Sequence, residues 1–239
     1  MTNKYNIKDI IRFARNRLTS LPRKYREMQE QKSINRFHDL YYNGLNNEGP
    51  IYLRTQWMNV PCFKCPLDMW VYHQIIVETS PDLVIETGTY KGGSALYMAH
   101  VMDAIGKGEI ITIDIEDHGP KVPHPRIKYV YGSSSDSDLI HSLLDSRPAE
   151  KRMVILDSDH SKKHVLAELN LFWSYVNVGG YIIVEDTNVN GHPTLSSHGE
   201  GPFEAVQDFL RRNPNFMADR SREMFLMTFN PGGYLKRIS

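Results

Sequence analysis

Leu83-Val84-Ile85-Glu86-Thr87-Gly88-Thr89-Tyr90-Lys91-Gly92-Gly93-Ser94 is the stretch that decides the fold. Its first three residues form an apolar run, the pattern of a strand buried on both faces of a parallel sheet. Ser94-Ala95-Leu96-Tyr97-Met98-Ala99 then reads as the first turns of a helix. The order is strand, acidic residue, glycine turn, helix N-terminus. Glycines allow backbone N–H groups to approach a ligand closely, and the helix N-terminus adds partial positive charge. The spacing is E-x-G-x-x-x-G, which differs from the G-x-G-x-x-G of dinucleotide binders. The competing reading is a glycine-rich turn that binds nothing.

Downstream, the same alternation continues. Strands are expected at Leu83–Thr87, Glu109–Ile115, Ile127–Tyr131, Met153–Asp157 and Tyr181–Asp186. Helices are expected at Gly93–Ile105, Ser137–Ser146, Ser161–Tyr175 and Glu204–Arg212. The loop between Ile115 and Ile127 is rich in proline and histidine, so one crossover helix is expected to be absent or very short. Met217–Arg220 and Met224–Phe229 read as two short strands close enough to pair antiparallel. Such alternation argues for an α/β fold with helices on both faces of a mostly parallel sheet. The expected division is an N-terminal helical extension over residues 1–80 and an α/β domain over 81–239.

In open α/β sheets, ligands bind beyond the carboxyl ends of the strands. The first strand ends at Glu86 and the second at Asp114, which is well placed to accept hydrogen bonds from ribose hydroxyls. The third ends in Gly132-Ser133-Ser134-Ser135, whose hydroxyls suit an adenine or ribose edge, although serines also cap helices. The fourth ends in Asp157-Ser158-Asp159-His160 and the fifth in Glu185-Asp186. Neighbouring strands lie about 4.8 Å apart, which would bring Asp157, Glu185 and Asp186 together. Carboxylates that close repel and raise one another's pKa values. A divalent cation removes that cost, and an all-oxygen set suits a hard ion such as Mg²⁺. His160 directly follows the acidic cluster, and His192 lies just after the fifth strand; either is a candidate general base.

The composition is that of a soluble globular protein: 239 residues, 41% hydrophobic, with zero formal net charge. That balance gives no general electrostatic case for nucleic acid. No apolar run approaches the roughly 20 residues of a membrane span, and Met1-Thr2-Asn3-Lys4 opens no signal-peptide stretch. A cytoplasmic protein is expected. Ile7, Ile10, Ile11, Phe13 and Leu18 recur at helical spacing among Lys8, Arg12, Arg15 and Arg17, with Arg23, Lys24 and Arg26 beyond. This basic amphipathic helix suits either packing on the protein's own body or a second subunit, or peripheral contact with a membrane surface. Cys62 and Cys65 form a C-x-x-C pair, but no second pair exists to close a zinc site. They read as reduced packing cysteines.

Four segments together resemble the cephalosporin hydroxylase family, which includes bacterial rhamnosyl O-methyltransferases. They are Val84–Ser94, Leu156-Asp157-Ser158-Asp159-His160, Ile183–Thr187 with Asn190-Gly191-His192-Pro193, and Thr228-Phe229-Asn230-Pro231-Gly232-Gly233-Tyr234-Leu235. The resemblance implies a Rossmann-like class I methyltransferase core, with a mostly parallel seven-stranded sheet and an antiparallel edge strand. It also implies S-adenosylmethionine binding and a Mg²⁺ site at Asp157, Glu185 and Asp186. On this reading the cofactor-binding residues are Glu86, Gly88, Tyr90, Gly92, Ser94, Asp114, Ser133 and Asp157. The catalytic candidates are His160, His192 and Asp157. The expected reaction is methylation of a sugar hydroxyl on a glycolipid, polysaccharide or glycosylated natural product, by a homo-oligomer. An NAD(P)-dependent oxidoreductase and a non-catalytic S-adenosylmethionine-binding scaffold stand as alternatives. Residues Thr187–Gly201 are expected to form a mobile loop over the site, and Gln56–Tyr72, with Trp57, Lys64, Trp70 and Tyr72, its opposite wall.

Overall fold

A computed structural model describes residues 22–44, 49–147 and 151–239. The amphipathic helix expected over residues 7–18 lies outside them. The described chain opens with helix α1 (Arg23–Asn43), a 3-10 turn (Ile51–Arg54) and a small hairpin of β1 (Gln56–Trp57) and β2 (Val60–Pro61). Helix α2 (Pro66–Thr79) leads into β3 (Leu83–Thr87), α3 (Gly93–Ile105), β4 (Glu109–Asp114) and β5 (Ile127–Tyr131). Then come α4 (Ser137–Leu144), β6 (Arg152–Leu156), α5 (Lys162–Phe172), β7 (Tyr181–Val184), α6 (Pro202–Arg212), β8 (Phe216–Ala218) and β9 (Tyr234–Arg237).

Seven strands form one sheet in the order β5-β4-β3-β6-β7-β9-β8. The pairings from β5 to β7 are parallel, and β9 runs antiparallel to both β7 and β8. The antiparallel strand therefore lies one position in from the edge. No helix joins β4 to β5, as the proline-rich sequence of that loop predicts.

Side-chain alternation divides the sheet into two cores. Leu83, Ile85, Ile111, Val154 and Ile182 pack against α4, α5 and α6 through Ile140, Leu169, Phe172 and Phe209. Val84, Ile110, Met153 and Ile183 face the other way, onto Tyr72, Ile75 and Ile76 of α2 and Met98 and Met102 of α3. Helix α2 thus packs in one core with the sheet.

The last strand is not where its sequence suggests. Met224–Phe229, expected to be a strand, is a loop whose Met224, Phe225 and Leu226 are exposed. Its end is tied down from α2 instead. The buried Asp68 carboxylate accepts hydrogen bonds from Thr228 Oγ1, Phe229 N at 2.8 Å and Tyr234 Oη at 2.7 Å. The Pro231-Gly232-Gly233 turn then places Tyr234 and Leu235 in the sheet, with Gly232 at φ +75°. Burial raises the Asp68 carboxyl to about 7.

Phe172 is fully buried between α5 and the sheet. Replacing it with alanine is expected to remove about 3–5 kcal/mol, which calorimetry should read as a fall in Tm of about 10 °C.

Candidate active site

A cavity of about 720 Å³ opens at the carboxyl ends of β3, β4, β6 and β7. One half is built on the glycine turn. Gly88 sits at φ +84°, where a side chain would collide with the Asp157 carbonyl, so only glycine allows the turn to approach β6 this closely. Tyr90 N–H donates to Asp114 Oδ2 at 2.8 Å, and Glu116 N–H donates to Oδ1 at 3.0 Å. Both oxygens keep lone pairs for a ligand, and Asp114 lines the cavity. Ser133, Ser134 and His164 close this end, with His164 Nε2 3.2 Å from Ser134 Oγ and 3.1 Å from Ser158 Oγ.

The other half is acidic. Ligand atoms of Asp157, His160 and Asp186 lie within 4.8 Å of one another. Asp186 follows β7 in the left-handed region (φ +54°), a bend fixed by its N–H donating to Asn230 Oδ1 at 3.1 Å. His160 Nε2 lies 3.3 Å from Asp186 Oδ2 and 3.9 Å from Asp157 Oδ1. Burial pushes the Asp157 carboxyl up to about 7, against the pull of Lys64. Burial opposes the charged form of His160, but Asp186 and Asp157 outweigh it and raise its pKa. The cluster therefore favours an added positive charge, and its paired carboxylates fit a divalent cation, with the imidazole beside them.

Lys64 supplies the built-in countercharge. It is 3% exposed, and its Nζ donates to Asp157 Oδ2 at 2.6 Å and Glu185 Oε1 at 2.7 Å. Burial works against its charge, but the two carboxylates outweigh it and hold its pKa above the ordinary lysine value. Tyr72 Oη also donates to Glu185 Oε1. Tyr42 Oη, from α1, donates to Asp186 Oδ1 at 3.1 Å.

Of the residues expected from sequence, Gly88, Tyr90, Ser94, Asp114, Ser133, Asp157, His160 and Asp186 line the cavity. Four are corrected. Glu86 is fully buried beneath it, its carboxylate taken by Ser94 Oγ and by Thr112 Oγ1 at 2.8 Å, so it braces the turn. Gly92 is the left-handed residue before α3 and faces Tyr129 rather than the cavity. Glu185 is 3% exposed and occupied by Lys64 and Tyr72, so it anchors the lysine instead of joining the open cluster. His192 stacks on Phe203 and has Nε2 2.9 Å from Glu204 Oε1, away from the acids. Of the expected opposite wall, Pro61, Cys62, Phe63 and Lys64 reach the cavity. Trp57 instead donates to His100 Nδ1 at 2.8 Å, Trp70 is exposed and Tyr72 is buried below. Val189, Leu195 and His198 bring the loop after β7 to the rim. Sequence reasoning missed Tyr42, Tyr52 and His164. Cys62 and Cys65 are free and buried, as expected.

A profile of the rhamnosyl O-methyltransferase/CmcI family matches residues 51–238. The chain belongs to this family. It is 39% identical over 211 residues to a rhamnosyl O-methyltransferase of Mycobacterium bovis (strain BCG / Pasteur 1173P2), covering 84% of this chain and 83% of that one. It is equally identical over 209 residues to the enzyme of Mycobacterium leprae (strain TN), covering 84% and 89%. Among solved structures it resembles a CmcI described with Mg and SAM (TM-score 0.61, 19% identical, 84% of each chain). It also resembles an apo-structure of CmcI (TM-score 0.59, 20% identical, 78% and 77%). The likeness to CmcI shows the shared fold, a Rossmann-like methyltransferase sheet.

Removing one partner of a buried ion pair costs about 3–5 kcal/mol. Lys64→Met is therefore expected to lower Tm sharply, and excess MgCl₂ should restore more stability to the variant than to the wild type. Calorimetry with and without the salt measures both effects; equal Tm values would show that the lysine contributes nothing.

Proposed function

We propose that this chain transfers the methyl group of S-adenosylmethionine to a sugar hydroxyl, with Mg²⁺ held at the acidic cluster. The observation that carries this reading is one cavity with two chemically distinct halves: a glycine turn with Asp114, and an open cluster of Asp157, His160 and Asp186. Membership of a family with rhamnosyl O-methyltransferases 39% identical to this chain supports both the reaction and the acceptor class. The CmcI described with Mg and SAM has the same fold.

Asp114 would accept the ribose hydroxyls, held in place by the N–H groups of Tyr90 and Glu116. Ser133 and Ser134, which line the same end of the cavity, would present hydroxyls to the base end of the donor. Asp157 and Asp186 would hold the cation, which when bound lowers the pKa of a coordinated sugar hydroxyl and fixes its position. Lys64 keeps Asp157 oriented, with Oδ2 engaged and Oδ1 toward His160. A hard cation prefers oxygen, which leaves the His160 imidazole to take the hydroxyl proton from beside Asp186. Methyl transfer from a sulfonium is an in-line displacement, so positioning supplies much of the rate. A nicotinamide-dependent oxidoreductase is not favoured, since the turn lacks G-x-G-x-x-G. No described helix is long and apolar enough to cross a membrane.

The test is incubation of the full-length protein with methyl-labelled S-adenosylmethionine, Mg²⁺ and an aryl rhamnoside, followed by mass analysis of the acceptor. Label on the sugar, lost on EDTA treatment, is expected. Asp186→Ala should abolish turnover while S-adenosylhomocysteine still binds; full activity of that variant in EDTA would overturn the cation's role. Asp114→Ala should weaken S-adenosylhomocysteine binding about 10- to 100-fold, the range for lost hydrogen bonds to a charged group. It should leave Mg²⁺ binding, followed by titration calorimetry, unchanged.

A further inference from the structure

Between the acidic cluster and the donor half, one side of the cavity is aromatic, and most of it comes from outside the sheet. Tyr42 is on α1, Tyr52 is in the 3-10 turn that follows, and Phe63 comes just after the small hairpin. Their rings form a chain of contacts. Tyr42 and Tyr52 have centroids 5.3 Å apart, Tyr52 and Phe63 6.4 Å in an edge-to-face arrangement, and Phe63 and Tyr90 4.8 Å. Phe229, buried at the base, braces Tyr42 at 5.3 Å.

The three tyrosines are used differently. Tyr42 spends its hydroxyl on Asp186 and Asn188. Tyr90 belongs to the glycine turn and contributes its backbone N–H to Asp114. Tyr52 lines the cavity half-buried, and among the described residues its hydroxyl makes no hydrogen bond. Burial and the neighbouring Asp186 carboxylate raise its pKa, so the phenol stays protonated beside the acidic cluster. A ring clamped between two others, with a free polar tip near the reacting end of a cavity, is suited to a ligand with an apolar face and a polar edge. A pyranose is such a ligand: its C–H face suits the ring, and its hydroxyls suit the phenol and the cluster.

We infer that Tyr52 is an acceptor-binding residue: its ring, held between Tyr42 and Phe63, packs on the acceptor's pyranose, and its hydroxyl bonds a sugar hydroxyl next to the one methylated. This rests on the methyl-transfer reading above. It makes the 3-10 turn that carries Tyr52 a selector of acceptor. Phe63, at the junction of the two halves, orients the Tyr52 ring rather than touching the reacting atoms.

The experiment is titration calorimetry on the full-length protein. S-adenosylhomocysteine is titrated first; 4-nitrophenyl α-L-rhamnopyranoside is then titrated into the protein saturated with S-adenosylhomocysteine and Mg²⁺. Loss of a stacked ring is worth about tenfold in affinity. Tyr52→Ala is expected to weaken the rhamnoside by about that factor and Tyr52→Phe by a smaller factor, with S-adenosylhomocysteine affinity unchanged in both. That unchanged affinity also reports an intact fold. Wild-type rhamnoside affinity in Tyr52→Ala overturns the inference, as does wild-type affinity in Tyr52→Phe should the alanine variant fail to fold. A wild-type protein that binds S-adenosylhomocysteine but no pyranoside also overturns it while leaving the donor reading standing. Failure to bind S-adenosylhomocysteine at all defeats the methyl-transfer reading itself.

Discussion

The fold depends on how it tolerates too much negative charge at one rim of the sheet. Asp157, Glu185 and Asp186 stand at the ends of adjacent strands, with Glu86 beneath the glycine turn. Unshielded carboxylates in such a place would be prohibitive. The described residues answer with one buried ammonium, Lys64, and with hydroxyls from Tyr72 and Tyr42. That answer is incomplete. One lysine pairs with two acids, and Asp157 is still left with a pKa near neutrality. The remaining deficit lies on the open side, toward Asp186 and His160, where it can attract a cation or a proton. The lysine therefore does more than stabilise: by closing one side of the cluster it determines which oxygens stay available on the other.

The two halves of the cavity are also joined through the backbone. The Gly88 turn lies directly against the Asp157 carbonyl, and Asp157 N–H donates back to Thr87 O at 3.1 Å. A displacement of the donor turn is therefore transmitted to the carboxylate with little slack, because close-packed interiors do not deform gradually. For a reaction whose rate rests on in-line alignment, such coupling places both reactants in one rigid frame.

Much of this was legible in the sequence because it follows from periodicity. The apolar runs Leu83-Val84-Ile85 and Tyr181-Ile182-Ile183-Val184 mark buried parallel strands, and the acids sit where such strands end. The C-terminal strand was misplaced because Met224-Phe225-Leu226 is apolar without being interior; the course of the chain beyond it is set by Asp68, some 160 residues away in sequence. Glu185 and Asp186 are adjacent and look equivalent, yet a one-residue step reverses their environments, one buried on Lys64 and the other on the cavity. His192 carries the same side chain as His160, but Glu204 on α6 engages it. Tyr42 and Tyr52 gave no local signal at all, because their role comes only from α1 and the turn folding over the sheet.

That last arrangement bears on how such an enzyme could acquire new specificity. Tyr52 and Phe63 belong to neither hydrophobic core, so exchanging them sacrifices little of the packing that keeps the chain folded. Those two side chains can change while the sheet and its acids stay fixed, provided that Lys64 and Cys62 beside them are kept. Retargeting should begin with those two positions, since the scaffold separates the side chains that choose a customer from those that carry out the chemistry.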